Sequence, residues 1–212
     1  MANNKKSDKR FKSNTEYIDI PNKEYSKFNN TKKSDKRFKS NKEYINILSK
    51  EYSKLNNIRI DLGYQKPYSE TTTLERANKD LNHMWNNTRS IQTVFGDKVG
   101  YICKIEYTED KGIHFHLLIP FNGHKVKNSA YKAEQIGQYW EKITEGRGSY
   151  HNCHRNEYER NGIGMLDRND SNKRKILDEV VLSYLCKDDQ GIDSISNSSK
   201  DRAFKRGIIR KV

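Results

Sequence analysis

The clearest early pattern in the chain is a helical stripe. Between residues 41 and 55, Tyr44, Ile47, Leu48, Glu51, Tyr52 and Leu55 recur at steps of three and four, and all but Glu51 are apolar or aromatic. That spacing predicts an amphipathic helix. Residues 58–62 (IRIDL) alternate apolar and polar, as a strand does. Leu74, Ala77, Leu81, Met84, Trp85 and Thr88 predict a second helix over 72–91, with threonines at 71–73 available as caps. Residues 99–107 (VGYICKIEY) and 113–120 (IHFHLLIP) read as strands joined by the turn TEDKG, a hairpin. A helix capped by Ser129 is expected over 129–143. Another is expected over 171–187, with Ile176, Leu177, Val180, Val181, Tyr184 and Leu185 as its apolar face. Residues 146–167 read as irregular apart from a short strand near 162–166, and 206–212 as a tail or edge strand. Helices interleaved with hairpin strands imply an α+β fold, a central antiparallel sheet with helices on one face.

The N-terminal quarter departs from this pattern. Residues 5–30 (KKSDKRFKSNTEYIDIPNKEYSKFNN) repeat as residues 32–57 (KKSDKRFKSNKEYINILSKEYSKLNN) with few differences. Two copies are too few for a solenoid. Pro21 stands where the second copy has Leu48, and a proline there would break the helix. Residues 1–40 are therefore expected to be a mostly disordered basic arm, and residues 41–205 the folded domain.

Charge sharpens the functional reading. The 212 residues carry 41 Lys and Arg against 28 Asp and Glu, a formal net charge of +13. Residues 1–57 alone hold 15 basic against 7 acidic side chains. Such a balance suits a polyanionic partner, with nucleic acid the usual one. Lys5, Lys6, Arg10, Lys32, Lys33 and Arg37 of the repeated arm are candidate phosphate contacts. No apolar run is long enough for a membrane span, and the basic N-terminus lacks the apolar stretch of a signal peptide. Three widely spaced cysteines fit reduced thiols. A cytoplasmic protein with no membrane partner is expected.

The candidate chemistry lies in the hairpin. His114 and His116 flank Phe115, so a strand would put both imidazoles on one face and Phe115 in the core. If the turn is tight, Glu106 on the preceding strand faces one of them. Two histidines and a carboxylate suit a divalent ion with open positions. Asp61 on the neighbouring strand is an alternative third ligand. On the late helix Tyr184 and Lys187 share a face, a nucleophile beside a cation. Tyr139 begins the same Y-x-x-K spacing but lies in an apolar stripe, and reads better as core. His151-Asn152-Cys153-His154 offers zinc-type ligands without a second pair at finger spacing.

The ordered set of motifs resembles the HUH endonuclease superfamily. It is most similar to the inovirus gene II-like replication initiators, the group with the YagK/YfjJ C-terminal domain. The matching segments are Arg59-Ile60-Asp61-Leu62, Glu106, the pair His114 and His116, and Ser183-Tyr184-Leu185-Cys186-Lys187. The resemblance implies a palm-like sheet and Mg2+ or Mn2+ at His114, His116 and Glu106. It further implies attack of Tyr184 on single-stranded or replication-origin DNA to give a 5′-phosphotyrosine, with Lys187 positioning the phosphate. Host replication proteins are then possible partners, and rolling-circle initiation is the expected role. The competing expectation is a non-catalytic, basic nucleic-acid-binding protein on a degenerate nuclease fold.

Overall fold

The computed structural model describes residues 32–187, 191–196 and 202–208. Six strands form one antiparallel sheet: β1 (Lys54–Tyr64), β2 (Ile102–Thr108), β3 (Gly112–Asn122), β4 (Gly148–Asn152), β5 (Gly164–Asp167) and β6 (Phe204–Arg206). Their order is β4-β1-β3-β2-β6, and β5 also pairs with β1. β4 and β5 share one edge of β1, β5 alongside residues 54–57 and β4 alongside residues 60–64. The described α-helices are α1 (Lys32–Glu51), α2 (Tyr68–Thr71), α3 (Leu74–Asn86), α4 (Gln92–Phe95), α5 (Ser129–Ile143), α6 (Ser171–Ile176), α7 (Ser183–Cys186) and α8 (Ile192–Ile195). No described helix is long and apolar enough to cross a membrane.

The expected antiparallel sheet is present, but helices cover both of its faces. Alternation sends Ile60, Leu62, Ile105, Phe115, Leu117 and Ile119 to one side, where Leu81 and Met84 of α3 and Ile136 and Trp140 of α5 meet them. Trp140 stacks edge-on to Phe115 at 5.5 Å. The opposite side carries Leu55, Ile102 and Leu118, covered by Tyr44, Ile45 and Leu48 of α1 and by Leu177, Leu182 and Leu185 from the stretch that runs through α6 and α7. The face expected to be open is therefore roofed.

Several boundaries differ from the sequence expectation. α1 begins at Lys32, so residues 32–40 are helical rather than part of a disordered arm; residues 1–31 lie outside the described residues. The reason is a buried stripe that starts early. Ser34 and Asn41 are buried, Phe38 packs against the second core, and Arg37 lies over the Phe204 ring at 5.3 Å. The phase of α1 also differs. Ile45 is buried while Ile47 is 37% exposed, and Leu55 belongs to β1. Thr73 caps α3 as expected, accepting from Arg76 N–H. α5 is capped by Asn128, whose Oδ1 accepts from Tyr131 N–H at 2.9 Å; Ser129 instead donates to Asn56. β4 falls in the stretch read as irregular. The late helix is not uniform either, because residues Leu177–Leu182 wind as a π-helix between α6 and α7. Glycine is required at Gly162 beside this turn, where a Cβ would sit 2.9 Å from the Leu177 backbone.

The phase of α1 gives a direct stability test. Ile45→Ala should destabilise the protein by about 2–5 kcal/mol in urea unfolding, as buried isoleucine truncations do. Ile47→Ala should stay within roughly 0.5 kcal/mol of wild type. The reverse order would place the helix in the wrong rotation.

Candidate metal centre and its tyrosine

The hairpin register brings the expected group together. β2 and β3 pair Glu106 with His114 and Lys104 with His116, and β1 pairs Asp61 with His116. All of these side chains project to the side roofed by α1 and α7. The turn that sets the register needs Gly112. Its φ is +67°, and a Cβ would lie 2.2 Å from the Ser69 carbonyl oxygen. The Gly112 carbonyl then accepts from His114 Nδ1–H at 3.1 Å.

Both imidazoles are oriented in the same way. His116 Nδ1 lies 2.7 Å from Asp61 Oδ1. A carboxylate can only accept, so this contact puts a proton on Nδ1. Arg59 Nη2 approaches the same nitrogen at 3.0 Å, but a guanidinium cannot accept, and the shorter partner is Asp61. With each Nδ1 held by an oxygen, each Nε2 turns toward Glu106. Glu106 Oε2 is 2.8 Å from His116 Nε2 and 3.3 Å from His114 Nε2. The ligand atoms of Glu106, His114 and His116 lie within 4.8 Å of one another, a group that could hold a metal ion. Histidines whose second nitrogen is fixed by an oxygen acceptor are the usual form of metal-ligating imidazole.

Charges within this group are matched in pairs. Arg59 pairs with Asp61, and Lys104 Nζ lies 2.5 Å from Glu106 Oε1. All four are buried, as is His116. Isolated charges could not be taken out of water at a tolerable cost, so each needs its partner. Burial works against the charged form of Asp61, but Arg59 and then His116 outweigh it and hold the carboxyl well below the usual range. Burial likewise opposes ionised Glu106, and hydrogen bonds from His114 and His116 outweigh it, again downward. For His116, burial favours the neutral ring, but Asp61 raises its pKa above the ordinary value.

Tyr184 closes the site from α7. Its hydroxyl is 3.2 Å from His116 Nε2, and its ring meets the His116 ring edge-on at 5.2 Å. Burial first, and the negative Glu106 second, push its pKa upward. Lys187 caps α7, with its Nζ 5.4 Å from the centre of the Tyr184 ring. The π-helical turn just before α7 belongs to a class of widened turns frequent at functional sites. Tyr139 lies on the other side of the sheet, buried edge-on against Phe95 at 5.5 Å.

The remaining candidates separate from this centre. Asp61 does not take the place of Glu106 in the metal-ligand group; it orients His116. The zinc-type run is dispersed. His154 Nε2 accepts from the Arg59 backbone N–H at 3.0 Å, and burial with nearby Arg59 pushes its pKa down to about 4. Cys153 is buried. Among the described residues Glu106, His114 and His116 are the only such metal-ligand group. Lys33 is exposed on α1 and Arg37 is half-buried against Phe204, while Lys5, Lys6 and Arg10 lie outside the described residues. The side chain of Lys32 is outside them too. Lys104 was not anticipated from the sequence. Its signal was its position, two residues before Glu106 on the same strand face and opposite His116 in a hairpin of this register.

A family model, the YagK/YfjJ C-terminal domain, matches residues 14–207. The comparisons with curated proteins and with solved structures return no match.

Calorimetric titration with Mn2+ should give one site per chain. His114→Ala and His116→Ala should abolish it, and Asp61→Asn should weaken it about 10- to 100-fold, the usual effect of losing the group that orients a ligating histidine. Binding must displace the proton on His116 Nε2. Affinity should therefore fall as pH drops through the raised pKa of His116 and recover as pH rises. Undiminished binding by His116→Ala would contradict the assignment.

Proposed function

Because the chain belongs to the YagK/YfjJ C-terminal domain family, we propose that this centre is that of an HUH-type nickase acting on single-stranded DNA, with Tyr184 as nucleophile. The observation that carries the reading is the 3.2 Å contact between the Tyr184 hydroxyl and His116 Nε2, which puts a nucleophile of the right class at the metal-ligand group. Bound Mg2+ or Mn2+ would polarise the scissile phosphate and stabilise its developing charge.

The chain's own residues supply the rest. Glu106, His114 and His116 would hold the ion through one oxygen and two nitrogens. Lys104 pairs with Oε1 of Glu106, so Oε2, which faces both imidazoles, is the oxygen that would meet the ion. Arg59 balances Asp61 and Lys104 balances Glu106, so these four add no net charge. A divalent ion then brings two positive charges, equal to one phosphodiester and one phenolate. Tyr184 Oη attacks phosphorus, losing its proton to water. The bond from phosphorus to the 3′ oxygen breaks, and that oxygen takes a proton from water and leaves as a 3′-OH. The 5′ phosphate stays on Tyr184, and the free 3′-OH is suited to prime synthesis. Lys187, beside the Tyr184 ring, offers its ammonium to the phosphate. Lys33 on α1, together with Lys5, Lys6, Arg10 and Lys32, would add sequence-independent contacts to the DNA backbone.

Labelled single-stranded DNA and Mn2+ should yield a protein–DNA adduct that survives denaturation and disappears with protease. EDTA should abolish it. Tyr184→Phe should lose the adduct, falling by at least about 10³-fold in rate as removal of a nucleophile does, while still binding DNA and Mn2+. Lys187→Ala should slow cleavage by about 10- to 100-fold, the scale of one charge-assisted contact in the transition state. DNA binding without any metal-dependent adduct would favour the non-catalytic alternative.

A further inference from the structure

The hydroxyl of Tyr184 lies at hydrogen-bond distance from one nitrogen of the metal-ligand group. Its oxygen is 3.2 Å from His116 Nε2; Glu106 Oε2 is 2.8 Å from that same nitrogen, and Glu106 Oε2 is also 3.3 Å from His114 Nε2. Two donors sharing an ion at about 2.1 Å stand roughly 3.0 Å apart in octahedral and about 3.4 Å apart in tetrahedral geometry. The Tyr184–His116 spacing falls between these values.

The ring itself is held among charged groups. Three cations ring the phenol: Lys187 Nζ at 5.4 Å, Lys104 Nζ at 5.5 Å and the Arg59 guanidinium at 5.9 Å from the ring centre. The ring is held in place by its edge-on contact with His116 and by α7, which Asn41 of α1 fixes through a hydrogen bond to Cys186 Sγ. A side chain placed only to pack would not need its oxygen directed at the nitrogen that faces the ligand group.

We propose that Tyr184 Oη is a fourth protein donor to the ion held by Glu106, His114 and His116, coordinated before any substrate arrives. One metal–oxygen bond forms, the phenolic O–H bond breaks, and the proton leaves to water; nothing is oxidised or reduced. The nucleophile would thus wait as a metal-held phenolate, and an incoming phosphate would enter at the remaining positions. The inference rests on the metal reading of the centre but not on DNA cleavage.

Iron tests it, because a ferric ion bound by phenolate absorbs visible light by charge transfer. The full-length protein is loaded with Fe2+ without oxygen, oxidised in air and freed of excess ion by gel filtration, and its bound iron is measured. Wild type and Tyr131→Phe, altered at an exposed tyrosine, should carry one iron and the visible band. Tyr184→Phe should keep iron but lose the band. Resonance Raman on wild type should show phenolate ring modes, a measurement that depends on no substitution. Stoichiometric iron without the band, or a band that persists in Tyr184→Phe, would overturn the proposal and leave the three-ligand centre standing. No retained iron in wild type would overturn both. Failure to nick DNA would change none of these readings, so the two accounts fail separately.

Discussion

Four ionisable groups buried on one face of a sheet can stay there only if each is answered by another. Arg59 and Asp61 on β1, and Lys104 and Glu106 on β2, are two such pairs, and His116 on β3 bridges them through its two ring nitrogens. The bridge runs from Asp61 Oδ1 to Nδ1 and from Nε2 to Glu106 Oε2. Much else follows from it. The register of β1, β3 and β2 must hold, because a one-residue slip would send every member to the opposite side. α1 and the segment through α7 must cover the face, because water would weaken each pair. The arrangement gathers the Nε2 atoms of both histidines and one carboxylate oxygen into one group, with the Tyr184 hydroxyl 3.2 Å from His116 Nε2.

This dependence explains why polar residues sit so deep. A core of matching aliphatic side chains would be as stable or more so. Polar groups kept at such a cost, aimed at a common point and joined by a buried tyrosine, are arranged as functional sites are. The opposite side of the sheet is ordinary by comparison, with aliphatic strand residues against Leu81, Met84, Ile136 and Trp140. That apolar side fixes the sheet, and the charged side uses it.

Much of the centre was legible in the sequence, and the reason is local. A tight hairpin narrows which residues face each other, so the turn alone puts Glu106 on the histidine face opposite His114 or His116, and the register makes it His114. Phe115 in the core follows from the period of two. What was hidden depends on packing between distant segments. Lys104 reads as a solvent-facing lysine, since lysine is seldom fully buried; it is buried here because α7 and α1 lie over it. The choice of Ile45 over Ile47 is made by where Leu118 and Ile102 stand, which the helical period cannot tell. β4 (GSYHN) has no apolar alternation and exists through its pairing with β1. The early start of α1 was masked by the charge of its first turns, whose buried stripe of Ser34, Phe38 and Asn41 is thin in apolar residues. The π-helical turn breaks the 3.6 period on which the late helix was read.

The centre itself is tested most directly by locating the ion. Crystals of the full-length protein soaked in Mn2+ and measured on either side of the manganese absorption edge would show it by anomalous scattering. The account predicts one strong peak within about 2.0–2.4 Å of His114 Nε2, His116 Nε2 and Glu106 Oε2, with Asp61 still on His116 Nδ1. A peak beside His151 and His154, or none at the hairpin, would contradict it.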